Sequence, residues 1–232
     1  MNSLLLLLAL SSSPLRTDTL LAPDGSAAGL WVPSGKVRHP LVVWLHGGLG
    51  ANNPLKGIAA ASNMEATWGE SGAFALLAPS AWPASPWWSD EAALRIAGFV
   101  DSAARRPGVD GSRLVLAGVS DGGIGTLWLA ARLRGLWGKR LKGVAVWSCD
   151  PDVLVAQGIP WSPNALKGIP VRWTAGGRDH LFPLERIRSW WAVFAKAGVE
   201  VEEHEDPEAD HDLSFHKKDL SLFPAWTRRI AR

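Results

Sequence analysis

The sequence predicts an α/β fold, a doubly wound and mostly parallel sheet with helices on both faces. Three observations predict it. Short apolar runs recur along the 232 residues, segments with helical spacing of apolar residues separate them, and the runs are apolar throughout rather than at every second position. A strand that is apolar on both sides has to be covered on both sides, as in a parallel sheet. Strand, helix, strand at this spacing implies right-handed crossovers. Ligands on such sheets bind at the carboxyl ends of the strands, so polar residues at those ends carry the functional question.

Taken in order, residues 15–33 supply one or two antiparallel edge strands. Pro40 to Leu45 is a continuous apolar strand ended by His46-Gly47-Gly48, and Phe74 to Ala78 is another, stopped by Pro79. Ser89 caps a helix from Asp90 to Ala104, on which Ala93, Ile96, Ala97 and Val100 fall at helical spacing. Arg113 to Ala117 is a strand running into Gly118, and residues 121–134 form a helix of small residues. Val144 to Trp147 precedes Ser148, and Val171 to Ala175 runs into Gly176-Gly177. Leu184, Ile187, Trp191 and Phe194 mark a helix that Gly198 stops. A weaker strand, Val199 to His204, follows, and a final short helix starts near Pro224, since proline is tolerated in a first helical turn.

Composition bounds the function. The length suits one domain, residues 14–232, with no repeat and no linker to divide it. A net charge of +2, without Lys/Arg clusters interleaved with aromatics, makes no case for nucleic acid as a partner. A single cysteine, Cys149, excludes an intrachain disulfide, and its place after an apolar run reads as a buried, inert thiol. The chain has 14 tryptophans and no tyrosine, of which Trp147, Trp173 and Trp191 read as core. Leu4 to Leu10 is too short to span a bilayer, so no integral membrane span is expected. It resembles the apolar middle of a secretory signal peptide followed by Ser11-Ser12-Ser13, although no Lys or Arg precedes it. Residues 1–13 are therefore read as a leader and the protein as secreted or periplasmic; without a working leader it would be cytoplasmic.

Gly118-Val119-Ser120-Asp121-Gly122 is a G-x-S-x-G motif. The bare pattern is weak, but here it follows a buried strand and opens a helix, the setting in which it has a mechanism. The serine occupies a sharp, strained turn that lifts its hydroxyl above the sheet, and the following helix points its positive end at an oxyanion formed there. The bland alternative is a glycine-rich strand-to-helix turn.

With that motif in place, the chain from residue 30 onward resembles the α/β-hydrolases, near the small carboxylesterase, phospholipase and polyester-depolymerase-like branches. The resemblance implies that His46-Gly47-Gly48-Leu49-Gly50 is the oxyanion loop, the N–H of Gly48 (or Leu49) acting with that of Asp121. His46 precedes the serine and reads as a structural histidine of that loop. The family order is serine, acid, histidine. Asp179, after the penultimate strand, matches the acid position; Asp150, which some relatives use, is the fallback, and Asp152 a third carboxylate. His211, on the loop after the last strand, matches the base, in preference to His180, His204 and His216. A surface histidine in an acidic loop, and a solvated turn carboxylate, are the bland readings.

Such a triad makes a serine hydroxyl nucleophilic: the imidazole takes its proton during attack and the carboxylate orients the imidazole. The expected activity is hydrolysis of a small-molecule or polymer-borne carboxylic ester through an acyl-enzyme on Ser120, with no cofactor. Eight carboxylates between Glu200 and Asp212 raise the thought of a metal held by His204, Asp210 and His211. The spacing matches no metal motif, and none is assigned. Trp82, Trp87 and Trp88 form either an aromatic wall at the substrate mouth or packing against the sheet edge. Residues 148–169 leave no room for a large cap. A dienelactone-hydrolase-like lactonase usually has a cysteine nucleophile, a serine peptidase an extra domain, and a non-catalytic binding module a damaged triad; the sequence favours the esterase over all three.

Overall fold

The computed structural model describes residues 15–48, 53–61, 72–81 and 86–232. The leader at residues 1–13, Leu49 and Trp82 lie outside the described residues. Eight strands form one sheet: β1 (Leu15–Leu21), β2 (Ala27–Pro33), β3 (His39–Leu45), β4 (Ala75–Pro79), β5 (Val109–Val119), β6 (Leu141–Trp147), β7 (Val171–Gly176) and β8 (Val201–Asp206). Their spatial order is β1-β2-β4-β3-β5-β6-β7-β8. From β4 to β8 every pairing is parallel, as the unbroken apolar runs imply. Residues 15–33 supply two strands, but only β2 opposes its neighbours on both sides; β1, antiparallel to β2, runs with the body of the sheet.

Four main helices cover the sheet: α1 (Asp90–Ala104), α2 (Asp121–Arg132), α3 (Leu184–Lys196) and α4 (Lys217–Ile230). The two-residue period of a strand divides its side chains between two cores. Leu41, Val43 and Leu45 of β3 join Phe99 of α1, Leu127 of α2 and Phe194 of α3 in one. Val42 and Trp44 join Leu220, Phe223 and Trp226 of α4 in the other. Trp147, Trp173 and Trp191 are buried, as the sequence implies. On the α4 side the Phe223 ring lies 5.5 Å from Phe74, 5.4 Å from Trp147 and 5.8 Å from Trp226, centroid to centroid. Among the described residues no helix is long and apolar enough to cross a membrane.

α1 begins and ends where its cap and periodicity place it, with the Ser89 hydroxyl accepting from the Ala92 N–H at 3.1 Å. Two elements differ from expectation. The final helix starts at Lys217, so Pro224 lies inside it rather than at its start. A proline there removes one N–H and crowds the preceding turn; burial of Leu220, Phe223, Pro224 and Trp226 along one face outweighs that preference. The last strand spans Val201–Asp206, two residues later than the sequence suggests. Gly198, at φ +72°, turns the chain out of α3, and Val199 N–H donates back to the Phe194 carbonyl at 3.0 Å, so 198 and 199 belong to the helix exit, while the Glu200 carbonyl already accepts from Val171 N–H of β7 at 3.0 Å.

Candidate active site

At the end of β5 the chain bends at Ser120 and enters α2 at once. Ser120 has φ 55° and ψ −126°, a region that residues with a Cβ rarely occupy. The bend is tied on both sides: Ser120 N–H donates to the Trp147 carbonyl of β6 at 3.0 Å, and the Ser120 carbonyl accepts from Ile124 N–H at 3.0 Å. The flanking glycines are required by proximity. A Cβ on Gly122 would sit 2.0 Å from the Leu45 carbonyl oxygen, and one on Gly118 would sit 2.4 Å from the Gly122 carbonyl oxygen.

The loops after β7 and β8 are laced together, Gly177 N–H donating to the Asp206 carbonyl at 2.8 Å and Arg178 N–H to that of Ala209 at 2.9 Å. This lacing sets Asp179 beside His211. His211 Nδ1 lies 2.9 Å from Asp179 Oδ2, and His211 Nε2 lies 2.9 Å from Ser120 Oγ. The other carboxylate oxygen of Asp179 accepts the N–H groups of Leu181 at 3.0 Å and Phe182 at 2.9 Å. Burial pushes the Asp179 pKa up, but the hydrogen bonds from His211, Phe182 and Leu181 outweigh it and hold the group below the usual carboxylate range. The Phe182 ring stands edge-on to the His211 imidazole at 5.1 Å.

Beside this relay is a cleft of about 390 Å³. Gly47 and Val119 form its edge next to Ser120, Trp44, Leu213 and Leu220 give apolar walls, and Lys56 reaches in from the helical residues 56–61.

Neither a protein-family model nor a curated protein sequence matches the chain. Solved structures do. The chain is similar to the esterase Est22 at TM-score 0.69 and 15% identity, over 93% of this chain and 82% of that one. It is similar to a thermostable esterase from Pseudomonas putida ECU1011 at TM-score 0.68 and 15% identity, over 95% and 84%. An S-formylglutathione hydrolase from Agrobacterium tumefaciens gives TM-score 0.67 and 14% identity, over 96% and 98%. The chain has the α/β-hydrolase fold.

Within the α/β-hydrolase fold the loop after β3 passes directly alongside the serine, a Cβ on Gly47 coming 2.9 Å from that of Ser120. Gly48 adopts φ +65°, and its carbonyl accepts a hydrogen bond from Lys56 Nζ, a contact no sequence signal announced. His46 is a buried, neutral member of this loop. Ala81 N–H donates to its Nε2 at 3.2 Å, so its proton sits on Nδ1, which donates to the Gly47 carbonyl at 2.9 Å. Burial is the main cause that lowers its pKa.

The remaining candidates fall elsewhere. Trp87 is buried under α2, its indole N–H donating to the His46 carbonyl at 3.0 Å, and Trp88 is buried with its N–H on Gln157 Oε1 at 2.8 Å. Both are packing residues outside the lining of the cleft. Asp150 does not meet His211: its Oδ1 accepts from Asp152 N–H at 2.9 Å and its Oδ2 lies 2.6 Å from an Arg186 nitrogen. Asp152 pairs with the same arginine at 3.0 Å. His180 is exposed and bonds Asp210 at 3.1 Å, and His204 bonds Glu202 at 3.0 Å on β8. His216 is buried and shares a 3.0 Å hydrogen bond with Ser148. Cys149 is buried, and burial raises its pKa well above the ordinary thiol value, as an inert thiol requires.

Proposed function

We propose that the protein is a serine hydrolase of carboxylic esters, with Ser120 as nucleophile, His211 as general base and Asp179 as the acid of the triad. The observation that carries this reading is the unbroken relay of two 2.9 Å contacts through His211, joining residues from three separate loops at one end of the sheet. An imidazole so placed takes the Ser120 proton on Nε2 as Oγ bonds the acyl carbon. The Asp179 carboxylate fixes the proton on Nδ1 and stabilises the imidazolium that forms. Negative charge gathering on the former carbonyl oxygen meets the N–H groups of Gly48 and Asp121, the latter at the positive end of α2. Such donors are worth about 3 kcal/mol each in the transition state. Collapse of that intermediate expels the alcohol, which takes the proton from His211, and leaves the acyl group on Ser120. Water then attacks the acyl-enzyme by the same route, giving the carboxylic acid and free Ser120.

The segment 148–169 holds only the helical turn Asp152–Ala156 and the 3-10 turn Pro163–Leu166, which favours an uncapped site. An open mouth suits small-molecule or polymer-borne esters, and the esterases among the structural relatives support that substrate class. The leader-like run at Leu4 to Leu10 adds the proposal that the enzyme works outside the cytoplasm.

The test is fluorophosphonate labelling of the protein beside Ser120→Ala, followed by p-nitrophenyl esters of graded chain length. Labelling and turnover are expected for the native chain and neither for the variant. Equal labelling of both would remove Ser120 from its role. Silence on every ester, in folded protein, would favour a binding module.

A further inference from the structure

Ser148 and His216 form a second serine–histidine pair, fully buried, at the end of the strand next to the Ser120 bend. Among the described residues only two that are not glycine have positive φ: Ser120, and Ser148 at φ 43°. Strain of this kind persists only where its surroundings over-determine it. Ser148 is 1% exposed and His216 is fully buried, so neither meets solvent or substrate.

What the pair connects is informative. Ser148 is the residue after β6, and the preceding residue, Trp147, supplies the carbonyl that accepts the Ser120 N–H. Its own N–H donates to the Thr174 carbonyl of β7 at 3.0 Å, so its backbone cannot relax away from the sheet. His216 closes the 3-10 turn Leu213–His216 that follows His211, and it is the residue from which α4 starts. The 3.0 Å bond between Ser148 Oγ and His216 Nε2 therefore ties the strand end beside the Ser120 bend to the segment that carries His211. His216 Nδ1 is buried with no protein partner among the described residues, so Ser148 is the ring's one polar tether. A core needing only to be filled would use hydrocarbon here. A strained serine and a half-satisfied imidazole are both unfavourable for stability, and what they supply is a directional link between the two halves of the relay.

We propose that Ser148 and His216 are positioning residues, holding the His211 loop in register over the Ser120 bend. This inference rests on the ester-hydrolase reading for its kinetic consequence and on geometry alone for its structural one. Ser148→Gly separates the roles, because glycine accepts positive φ without strain while the hydroxyl is lost. Relief of the positive-φ strain offsets part of what is lost when the buried His216 ring loses its partner, so the melting temperature is expected to fall only slightly. Its kcat on p-nitrophenyl acetate is expected to fall by roughly tenfold or more with KM nearly unchanged, because misplacement of a catalytic group acts on the chemical step. Its His211 ring 1H–15N signals should shift. His216→Gln, whose amide can still reach Ser148, is expected to retain more kcat than His216→Leu.

A Ser148→Gly protein with native kcat and native His211 signals overturns the proposal. So does a variant whose loss of kcat is matched by a loss of thermal stability with His211 unmoved, because that is the signature of a merely structural contact. A native protein inert to every ester and to fluorophosphonate refutes the ester-hydrolase reading instead, and the His211 signals then decide the positioning role alone.

Discussion

Replacing Asp179 by asparagine keeps the shape of the side chain and reverses the proton arrangement of the site. One carboxylate oxygen accepts two backbone N–H groups, from Leu181 and Phe182, and the other faces His211 Nδ1. An asparagine at this position must choose which side receives its single oxygen. Turning the NH2 toward the two backbone donors would leave both unsatisfied in a buried site, at about 1–3 kcal/mol each, so the oxygen goes to the backbone. The NH2 then points at His211 Nδ1, which has to become an acceptor. The ring proton moves to Nε2, and the imidazole donates to Ser120 Oγ when it should be accepting. The expected loss in kcat is on the order of 10⁴-fold, or about 5 kcal/mol of transition-state stabilisation. The assay is turnover of p-nitrophenyl acetate, referenced to thermal melts that show the variant folded. A folded Asp179→Asn enzyme retaining about a tenth or more of native kcat would refute the tautomer argument and the assignment of Asp179 with it.

The same carboxylate has a stability signature with a definite sign. Its folded pKa is lowered, so its contribution is present above the unfolded aspartate value of about 3.9 and is lost as pH falls through the folded value; the gap in melting temperature between native and Asp179→Asn should narrow on acidification. Asp150 has the opposite sign, because burial raises its pKa and its charge weighs against folding once pH rises through the folded value. Asp150→Asn should therefore melt no lower than native at neutral pH, with Asp152 still holding Arg186, and should keep native kcat; a collapse in kcat would move the acid role to Asp150. Phe223→Ala, at the centre of the aromatic cluster under α4, should lose about 3–5 kcal/mol in denaturant unfolding, and a loss below about 1 kcal/mol would mean that the cluster collapses around the gap.

Strand-forming runs such as Pro40 to Leu45 and Val144 to Trp147 were legible because burial on both faces leaves an unbroken apolar string. The serine bend was legible because close approach forbids any Cβ at Gly118 and Gly122, which stamps glycine into the string. The placement of Asp179 and His211 came from chain order after strands, a feature of topology that resemblance supplies and local pattern does not. Pro224 misled because tertiary burial overrides helix propensity, and β8 slipped by two residues because an edge strand that is polar on both sides has no apolar boundary to mark its start. Trp87 and Trp88 left two readings open, since an indole serves equally as a wall or as filling; their buried N–H partners select the filling. Lys56 and the pair Ser148 and His216 had no local signature at all, because each acts through a contact between residues distant in the chain.

An open sheet leaves a rim of unpaired amides and carbonyls that invites further strands. At the β8 rim the chain spells Val201-Glu202-Glu203-His204-Glu205-Asp206. A second molecule docking there rim to rim would bring its own carboxylates against these, and like charges facing across a pairing repel. An acidic strand at this border thus disfavours strand-to-strand pairing with a second copy, which a hydrocarbon-faced border would invite.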